Sequence, residues 1–304
     1  MNAIEIRNLS KSFRSMYAVD HLNMTVPQGA IYGFIGENGS GKSTTEKLIC
    51  GHLVPDGGEI KLFGRDYTDP GVRVRVGALI ENAGCFPSSS VYQNLRMQTI
   101  NLGLRNPEEE IRRVLEIVRM EDNANLKFKS CSLGMKQRIG IAMALLGDPV
   151  LLILDEPING LDTDGMRIMR EILVDITQKY GCTVLISSHI LGELEKIATH
   201  YGIIRQGKMI AELSAEEMDK RAQVFVSLKT KDMEGAKAVL KTKFATVKRE
   251  DEFLRIYDVD DTTTIVDFLM KNGHVVSEIK KNKIGLEEYY IELMSAPEAQ
   301  KEGA

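Results

Sequence analysis

Apolar residues follow two alternating patterns over the first two thirds of the chain, from Ile4 to about Ala211. Short runs rich in β-branched residues alternate with stretches of helical spacing, and the runs end in glycine-containing loops. This alternation is typical of a layered α/β domain with a largely parallel sheet. Val150–Leu154 and Thr183–Ile186 are unbroken apolar runs. They predict strands that are covered on both faces, at the centre of that sheet.

A helical insertion is predicted within this domain, over about residues 88–147. Asn106 and Pro107 have the residue types of a helix start, with Asn106 as the N-cap and Pro107 in the first turn. The helix that follows carries apolar residues at helical spacing, namely Ile111, Val114, Leu115 and Val118. Such a stripe is expected to face a core.

The pattern changes after about Ala215 and predicts a second, smaller α+β domain. In chain order the predicted elements are a strand at Val224–Leu228, a helix at Asp232–Lys243, a hairpin through Arg249–Glu252, a helix at Thr262–Asn272 and a strand at Val275–Ile279. This βαββαβ order is ferredoxin-like. A last helix carries a stripe that we interpret as core packing, made of Leu286, Tyr289, Tyr290 and Leu293. We therefore predict domains at 1–216 and 220–294 and a tail at 295–304.

Composition excludes several classes of protein. Of 304 residues, 43% are hydrophobic and 27% are charged, a balance that is foreign to disordered chains. The net charge of −4 argues against a protein whose whole surface binds a polyanion and leaves local basic patches open; no nucleic acid partner is expected. The apolar stretch Ile139–Leu154 is interrupted by Asp148 and Pro149, and it is shorter than the roughly 20 residues of a bilayer span.

Two patterns that the sequence lacks lead to expectations about where the protein is located and what its cysteines do. Met1–Phe13 has no basic start followed by an apolar block, so we expect a cytoplasmic protein without a secretion signal. The cysteines are widely spaced and form no Cys-x-x-Cys pair. They indicate neither a zinc site nor a disulfide framework, and we interpret them as small apolar residues of the interior.

A glycine-rich loop carries the first chemical signal. It reads Gly36, Glu37, Asn38, Gly39, Ser40, Gly41, Lys42 and Ser43, and Thr44 follows it. The loop lies between a predicted strand at Ala30–Ile35 and a predicted helix at Thr44–Cys50, the setting that the G-x-x-x-x-G-K-[ST] pattern requires. Backbone N–H groups and the helix start then surround an anion, Lys42 reaches the terminal phosphates, and Ser43 is a ligand for magnesium. We predict a nucleoside triphosphate as the ligand.

Two acidic residues end the apolar run at Val150–Leu154. Asp155 is expected at the carboxyl edge of the sheet, beside the phosphate loop, where it is suited to hold the metal ion. Glu156 is one residue further and is suited to polarise a water molecule in line with the γ-phosphate.

The phosphate loop alone is compatible with three classes of protein: a small-molecule kinase, a GTPase and a mechanochemical ATPase. No Asn/Thr-Lys-x-Asp motif for reading a guanine base is present, which disfavours the GTPase. Cys131–Arg138 instead precedes an apolar helix, and its Ser132 and Gly134 suit a helix start that presents hydroxyl and N–H donors to an anion.

Together these segments resemble an ATP-binding cassette (ABC) nucleotide-binding subunit, over roughly residues 2–215. The resemblance implies a P-loop NTPase fold with a helical subdomain. Phe13 matches the aromatic residue that stacks on adenine, and Val19 matches the apolar residue beside the same base. Asp162, in Asn159–Asp162, matches the loop that couples paired sites, and His189 matches the switch histidine that senses the γ-phosphate.

A subgroup of that family is also indicated. Where the family's Q-loop has a glutamine, this chain has Glu81, in Leu79–Asn82. That substitution, the signature Ser132–Arg138 and the ending Leu286–Leu293 look like the bacitracin and lantibiotic resistance exporters. Glu81 is therefore expected in a coupling role, and as a further metal ligand if its carboxylate faces the magnesium ion.

The resemblance implies ATP and Mg²⁺ as cofactors and an ATPase that acts as a homodimer or with a paired ABC subunit. Ser132 and Gly134 of one copy would contact the γ-phosphate bound by the other, and hydrolysis by Glu156 and His189 would reopen the pair. Closure would drive a separate transmembrane permease, which places the chain peripherally on the inner face of the membrane. Two alternatives stay open: a soluble ABC ATPase that acts on ribosomes or DNA, and a regulatory or sensor subunit that uses residues 220–294.

Overall fold

The structure is a computed structural model. It describes residues 1–14, 16–221, 224–257, 259, 261–283 and 285–295. Apart from Ser295, the tail predicted at 295–304 lies outside the described residues. The described chain divides into two compact units, the first comprising Met1–Ala215 and the second beginning at Glu216.

The first unit is a mixed α/β structure. Its strands are β1 (Asn2–Phe13), β2 (Met16–Pro27), β3 (Ile31–Ile35), β4 (Gly57–Leu62), β5 (Arg65–Asp66), β6 (Val76–Leu79), β7 (Leu151–Asp155), β8 (Thr183–Ser188), β9 (His200–Arg205) and β10 (Lys208–Ser214). Its helices are α1 (Lys42–Ile49), α2 (Pro70–Arg73), α3 (Val91–Asn101), α4 (Pro107–Ile117), α5 (Leu133–Leu145), α6 (Thr163–Gln178) and α7 (Leu191–Leu194). Helix α8 (Ala215–Arg221) begins at the last residue of this unit, and its other residues belong to the second unit.

Six of these strands form the sheet that the alternating pattern predicted, in the order β10-β9-β3-β8-β7-β6. All neighbours are parallel except β10 and β9. As predicted, β8 is fully buried and central, whereas β7 lies only one strand from the edge. An unbroken apolar run indicates that both faces of a strand are covered. It does not indicate how many strands separate that strand from the edge of the sheet.

A second sheet, in the order β2-β1-β4-β5, is antiparallel and was not foreseen from the sequence. Its strand β1 changes register between Ile6 and Leu9 and again between Leu9 and Lys11. These bulges interrupt the alternation on which a strand assignment depends. The expectation of one largely parallel sheet therefore holds only for the six-stranded sheet. Ile4 and Ile60 of the second sheet share one core with Phe34 and Ile153 of the first.

The helical insertion between β6 and β7 consists of α3, α4 and α5, with short 3₁₀ turns before α5. Helix α3 starts with a capping box formed by Ser90 and Gln93. Helix α4 buries Ile111, Val114 and Leu115 as predicted. Asn106 stands at its N-cap, but the predicted capping hydrogen bond is not made. The Asn106 amide nitrogen instead donates to a Glu109 carboxylate oxygen at 3.5 Å.

The second unit has the predicted βαββαβ order followed by a helix. Its elements are β11 (Val224–Thr230), α9 (Met233–Lys241), β12 (Val247–Glu250), β13 (Phe253–Tyr257), α10 (Thr262–Lys271), β14 (Val276–Lys283) and α11 (Leu286–Ser295). Its sheet has the order β12-β13-β11-β14, and every pairing is antiparallel. β14 runs to Lys283, beyond the predicted end at Ile279, because an edge strand carries exposed polar residues that the apolar pattern does not detect.

Helices α9 and α10 cover one face of the sheet in the second unit. Val226, Leu228, Leu254 and Ile256 of the strands pack there against Leu240 and Ile265 of the helices, all within one cluster. In α11 Leu286 is completely buried and Tyr289, Tyr290 and Leu293 are half-buried, in keeping with the core-packing interpretation. Among the described helices of both units, none combines the length and the apolarity that crossing a bilayer demands.

One buried residue of α1 breaks the apolar pattern. The helix buries Leu48, Ile49 and Thr45 together with Glu46, whose exposed fraction is 0%. Neither carboxyl oxygen of Glu46 has a hydrogen-bond partner among the described residues. Burial raises the pKa of Glu46 well above its usual range, and the negative charge of Asp155 raises it further. An unpartnered buried carboxyl group costs stability, so this position disfavours the folded state.

Replacing Glu46 by leucine should therefore raise the free energy of unfolding by about 1–3 kcal/mol. The folded-state pKa of Glu46 is raised, so the wild-type chain loses stability as pH rises above about 4.3, the ordinary glutamate pKa. The gain should consequently be larger at pH 8 than at pH 5. Urea unfolding at both pH values measures it. Glu46→Gln, the matched control, should keep the pH-dependent part of the gain because it removes only the ionisable group; a gain that is independent of pH would contradict this account.

Candidate active site

The phosphate loop connects β3 to α1 and is folded too tightly for larger residues at two glycines. A Cβ atom on Gly36 would lie 2.4 Å from Ser40 Oγ, and one on Gly41 would lie 2.4 Å from the carbonyl oxygen of Ala18. Gly41 is the N-cap of α1 and has a φ of 111°, a conformation that other residues rarely adopt. Glycine at these positions lets the loop turn directly into the helix, with its backbone N–H groups at the helix start.

Lys42 lies over this loop. Its side chain is only 6% exposed, and its Nζ donates hydrogen bonds to the carbonyl oxygens of Gly36 at 2.7 Å and Glu37 at 3.1 Å. The loop residues Glu37, Asn38 and Gly39, which were predicted to bind the nucleotide, are exposed. The buried Oγ of Ser40 has no hydrogen-bond partner among the described residues. A buried hydroxyl without a partner, next to a lysine and a helix start, fits an anion as the missing acceptor.

Asp155 and Ser187 lie opposite each other on the neighbouring strands β7 and β8. The Ser187 hydroxyl donates to Asp155 Oδ1 at 2.9 Å, which orients the carboxylate. Ser43 lies in the first turn of α1 and Thr44 follows it, both half-buried. A hydroxyl and a carboxylate oxygen are the hard donors that Mg²⁺ prefers, so Ser43 and Asp155 fit the predicted metal. Sequence reasoning missed Ser187, whose only signal was a polar residue at the end of an apolar strand.

Glu156 is held between a histidine and a lysine. Its Oε2 lies 2.8 Å from His189 Nδ1, and its Oε1 lies 3.8 Å from Lys42 Nζ. Its backbone N–H donates to the carbonyl oxygen of Ser187 at 3.2 Å. The φ of Glu156 is 49°, an unfavourable value for a residue with a side chain, and such strain is found mainly at functional sites. The carboxylate is therefore positioned from two sides while part of it stays open to solvent.

The two predicted adenine contacts differ in exposure. Phe13, at the end of β1, is 49% exposed, and the Lys11 ammonium lies 5.7 Å from its ring centroid. This ring is available for stacking on a base. Val19 is completely buried within the hydrophobic core of the unit, so the structure lends its predicted contact no support.

Ser132, Gly134 and Asp162 form a separate cluster. Ser132 is the N-cap of α5 and accepts a hydrogen bond from the Met135 N–H at 3.3 Å. Asp162 is the N-cap of α6 and accepts from the Gly165 N–H at 2.8 Å. These residues line a cavity of about 390 Å³, and no residue of the phosphate loop is in its described lining.

Glu81 follows β6 and points to a lysine of α1. Leu79 of β6 pairs with Leu154 of β7, so Glu81 leaves the sheet at the edge where Asp155 lies. Its Oε1 is 2.5 Å from Lys47 Nζ, and this hydrogen bond lowers the pKa of Glu81. Glu81 was considered as a metal ligand only if its carboxylate faces the magnesium ion; in the structure that carboxylate is paired with Lys47. Lys47 was not singled out from the sequence, because no motif includes it.

Comparison with known proteins identifies the family. The model of the ABC transporter family matches residues 19–159. The bacitracin transport ATP-binding protein BcrA of Bacillus licheniformis is 35% identical over 297 residues, which are 96% of this chain and 97% of that protein. The lantibiotic transport ATP-binding protein SrtF of Streptococcus pyogenes is 38% identical over 222 residues, 73% of this chain and 95% of that protein.

Solved structures agree with the fold. CbiO1 of Clostridium perfringens, part of the ABC transporter complex CbiONQ, has a TM-score of 0.66 at 26% identity, covering 72% of this chain and 91% of that one. The ADP conformation of the ABC transporter cassette MJ1267 has a TM-score of 0.64 at 26% identity, covering 71% and 92%. With a phosphate loop, a paired carboxylate and histidine, and relatives matched over nearly their whole length, the chain belongs to the ATP-binding subunits of ABC transporters, a family of ATPases.

Proposed function

We propose that this chain binds Mg·ATP at the phosphate loop and hydrolyses it with Glu156 as the general base. The observation that carries the proposal is the Glu156 carboxylate, 2.8 Å from His189 Nδ1 and 3.8 Å from the Lys42 ammonium. A carboxylate fixed in this way next to a phosphate-binding lysine is suited to accept a proton from an attacking water molecule.

Each neighbouring residue has a defined task in this proposal. Phe13 stacks on the adenine, and Lys42 exchanges its carbonyl acceptors on Gly36 and Glu37 for the terminal phosphate oxygens. His189, protonated at Nδ1, donates to Glu156 and keeps the carboxylate in place. Ser43 and Asp155 would hold Mg²⁺, which supplies charge neutralisation on the phosphates when bound. The result is electrostatic positioning of water, carboxylate and phosphate, which supplies most of the catalysis in phosphoryl transfer.

A second subunit completes the site in this proposal. Ser132 and Gly134 line a cavity to which, among the described residues, the phosphate loop contributes none, and this supports a site shared between two chains. Two copies, or this chain and a paired ABC subunit, would place the signature of one against the γ-phosphate bound by the other. ATP then favours the closed pair because its γ-phosphate contacts both subunits only in that state.

The partner and cargo are proposed from the relatives. BcrA and SrtF are named as bacitracin and lantibiotic transport proteins, and this chain is 35% and 38% identical to them. We propose that the chain powers a separate permease that exports peptide antibiotics of this type. It would work in the cytoplasm, held at the inner face of the membrane by that permease.

Substituting glutamine for Glu156 should lower kcat for ATP hydrolysis by at least about 100-fold, because the amide cannot accept the proton of water. ATP affinity should stay unchanged, since Lys42 and the loop remain. Phosphate release and equilibrium binding of labelled ATP measure the two quantities. Glu59→Gln, at a glutamate with 65% of its side chain exposed, is the matched control and should keep full activity. Undiminished hydrolysis by Glu156→Gln would contradict the proposed base.

Mixing two inactive variants tests whether the site is shared between subunits. Lys42→Ala and Ser132→Arg should each be inactive alone. A mixed dimer would contain one intact site, made from the loop of the Ser132→Arg chain and the signature of the Lys42→Ala chain, so ATPase activity should partly return. A mixture of Lys42→Ala with the Lys42→Ala/Ser132→Arg double variant contains no intact site and serves as the control. Absence of recovery in the first mixture would argue that each chain hydrolyses ATP with its own residues.

Co-purification with a multi-span permease from a neighbouring reading frame tests the transport proposal. ATP hydrolysis by the purified complex in vesicles should increase when bacitracin or a lantibiotic is added, because cargo binding favours the closed state. The same complex with Glu156→Gln should show no increase. A permease complex whose hydrolysis responds to none of these peptides would overturn the proposed cargo while leaving the ATPase intact.

A further inference from the structure

Lys47 lies one helical turn beyond Ser43 on α1. Residues four apart on a helix share a face, so the ammonium of Lys47 is on the same side of α1 as the Ser43 hydroxyl. Its Nζ is 2.5 Å from Glu81 Oε1, in an ion pair between the helix that follows the phosphate loop and the turn that follows β6. Among the described residues, no other ion pair joins these two segments.

The turn that carries Glu81 is strained. The φ of Glu81 is 64°, and the N–H of Asn82 donates to the carbonyl oxygen of Ile80 at 2.9 Å, which closes a three-residue turn around Glu81. A turn of this hand is rare and unfavourable for a residue with a side chain. Such a conformation persists only where other interactions hold it, and the Lys47 ion pair is one of those interactions.

The position of the turn gives the ion pair its consequence. Because Leu79 pairs with Leu154, the chain leaves β6 at the edge where β7 ends in Asp155. Glu81 thus follows β6 at the same edge of the sheet as Asp155, and its carboxylate is directed to Lys47. A carboxylate is a preferred magnesium ligand, and an ammonium ion competes with a metal ion for the same oxygens.

We propose that Lys47 is a positioning residue that holds Glu81 away from the magnesium site, so that Lys47 and the bound metal ion compete for one carboxylate. This inference rests on the proposed function, because it takes Ser43 and Asp155 as the metal ligands. It also gives Glu81 a property that the usual glutamine lacks. An uncharged amide forms no ion pair with Lys47, and a glutamine would leave Lys47 without influence on metal binding.

The strength of the ion pair suits a reversible device. The side chains of Lys47 and Glu81 are 31% and 63% exposed, and exposed ion pairs are weak. A divalent cation with nucleotide can therefore displace Lys47, at a modest loss of affinity. Release of Glu81 would also free its turn to relax from the left-handed conformation. Metal binding and the conformation of residues 80–82 are then linked through one lysine.

Manganese binding tests the competition without measuring hydrolysis. The full-length chain is mixed with Mn²⁺ and a non-hydrolysable ATP analogue, and free Mn²⁺ is followed by its EPR signal. Lys47→Met should tighten Mn²⁺ binding by about two- to five-fold, the range expected for loss of an exposed ion pair. Lys47→Arg should behave as the wild type because it keeps the charge. Lys47→Gln repeats the test with a polar side chain, in case the methionine variant folds poorly.

A double-mutant cycle separates the ion pair from general electrostatics. In a Glu81→Gln background, Lys47→Met should leave Mn²⁺ affinity unchanged. Equal tightening in both backgrounds would mean that Lys47 acts only as a distant positive charge, and unchanged or weaker binding by Lys47→Met would exclude competition; each result overturns the inference. Lys196→Met removes another exposed lysine, which is paired with Glu193, and controls for net charge.

The same measurement distinguishes failure of the inference from failure of the proposed function. Lys42→Ala and Asp155→Asn should abolish nucleotide-dependent Mn²⁺ binding. If they do so while Lys47→Met equals the wild type, the proposed site stands and the role of Lys47 is wrong. If Mn²⁺ binding is independent of Lys42 and Asp155, the proposed site itself is wrong and the inference falls with it.

Discussion

The parallel register of β3, β8 and β7 is the constraint on which the site depends. Parallel neighbours bring their carboxyl ends to one edge, so the phosphate loop after β3, the two acids at the end of β7 and the histidine after β8 meet although they are far apart in sequence. The Asp155–Ser187 hydrogen bond across β7 and β8 depends on this register. A slip of one residue would turn these side chains to the opposite face and dissolve the cluster.

Three features that disfavour folding lie around this edge. Glu156 and Glu81 have φ values of 49° and 64°, and Glu46 is buried without a hydrogen-bond partner among the described residues. At each of these positions, another residue type or another backbone conformation would make the folded state more stable. The extensive core of the first unit, which joins both of its sheets, supplies the stability against which these unfavourable features are tolerated. Local strain at a site of this kind is consistent with residues that must change partners during a reaction cycle.

The charges of the site are held by partners that a bound nucleotide would compete for. Lys42 is bonded to carbonyl oxygens of its own loop, and Glu81 is paired with Lys47. Each interaction gives a charged group a partner when no ligand is bound, and phosphate or metal would compete for the same group. Because of such interactions, the free protein and the bound protein would form different ion pairs and hydrogen bonds. A conformational switch requires a difference of this kind between its two states.

Much of this protein was predictable from its sequence, because the relevant signals are local. The phosphate loop and its flanking strand and helix follow from glycine spacing and apolar runs, and the βαββαβ order of the second unit follows from periodicity. The edge on which Asp155 and Glu156 lie was also predictable, although the roles of these residues stay predictions. The antiparallel sheet of β1, β2, β4 and β5 was not, because bulges interrupt its alternation. Three further features were also not predictable from the sequence: the burial of Val19, the partner of Glu81 and the hydrogen bond from Ser187 to Asp155. Each of them depends on side chains that are brought together from distant parts of the chain. The sequence by itself thus determined which chemical groups are present and on which elements they stand, whereas only the tertiary structure decided which of them touch, since contact between distant residues depends on packing and leaves no periodic trace in the chain.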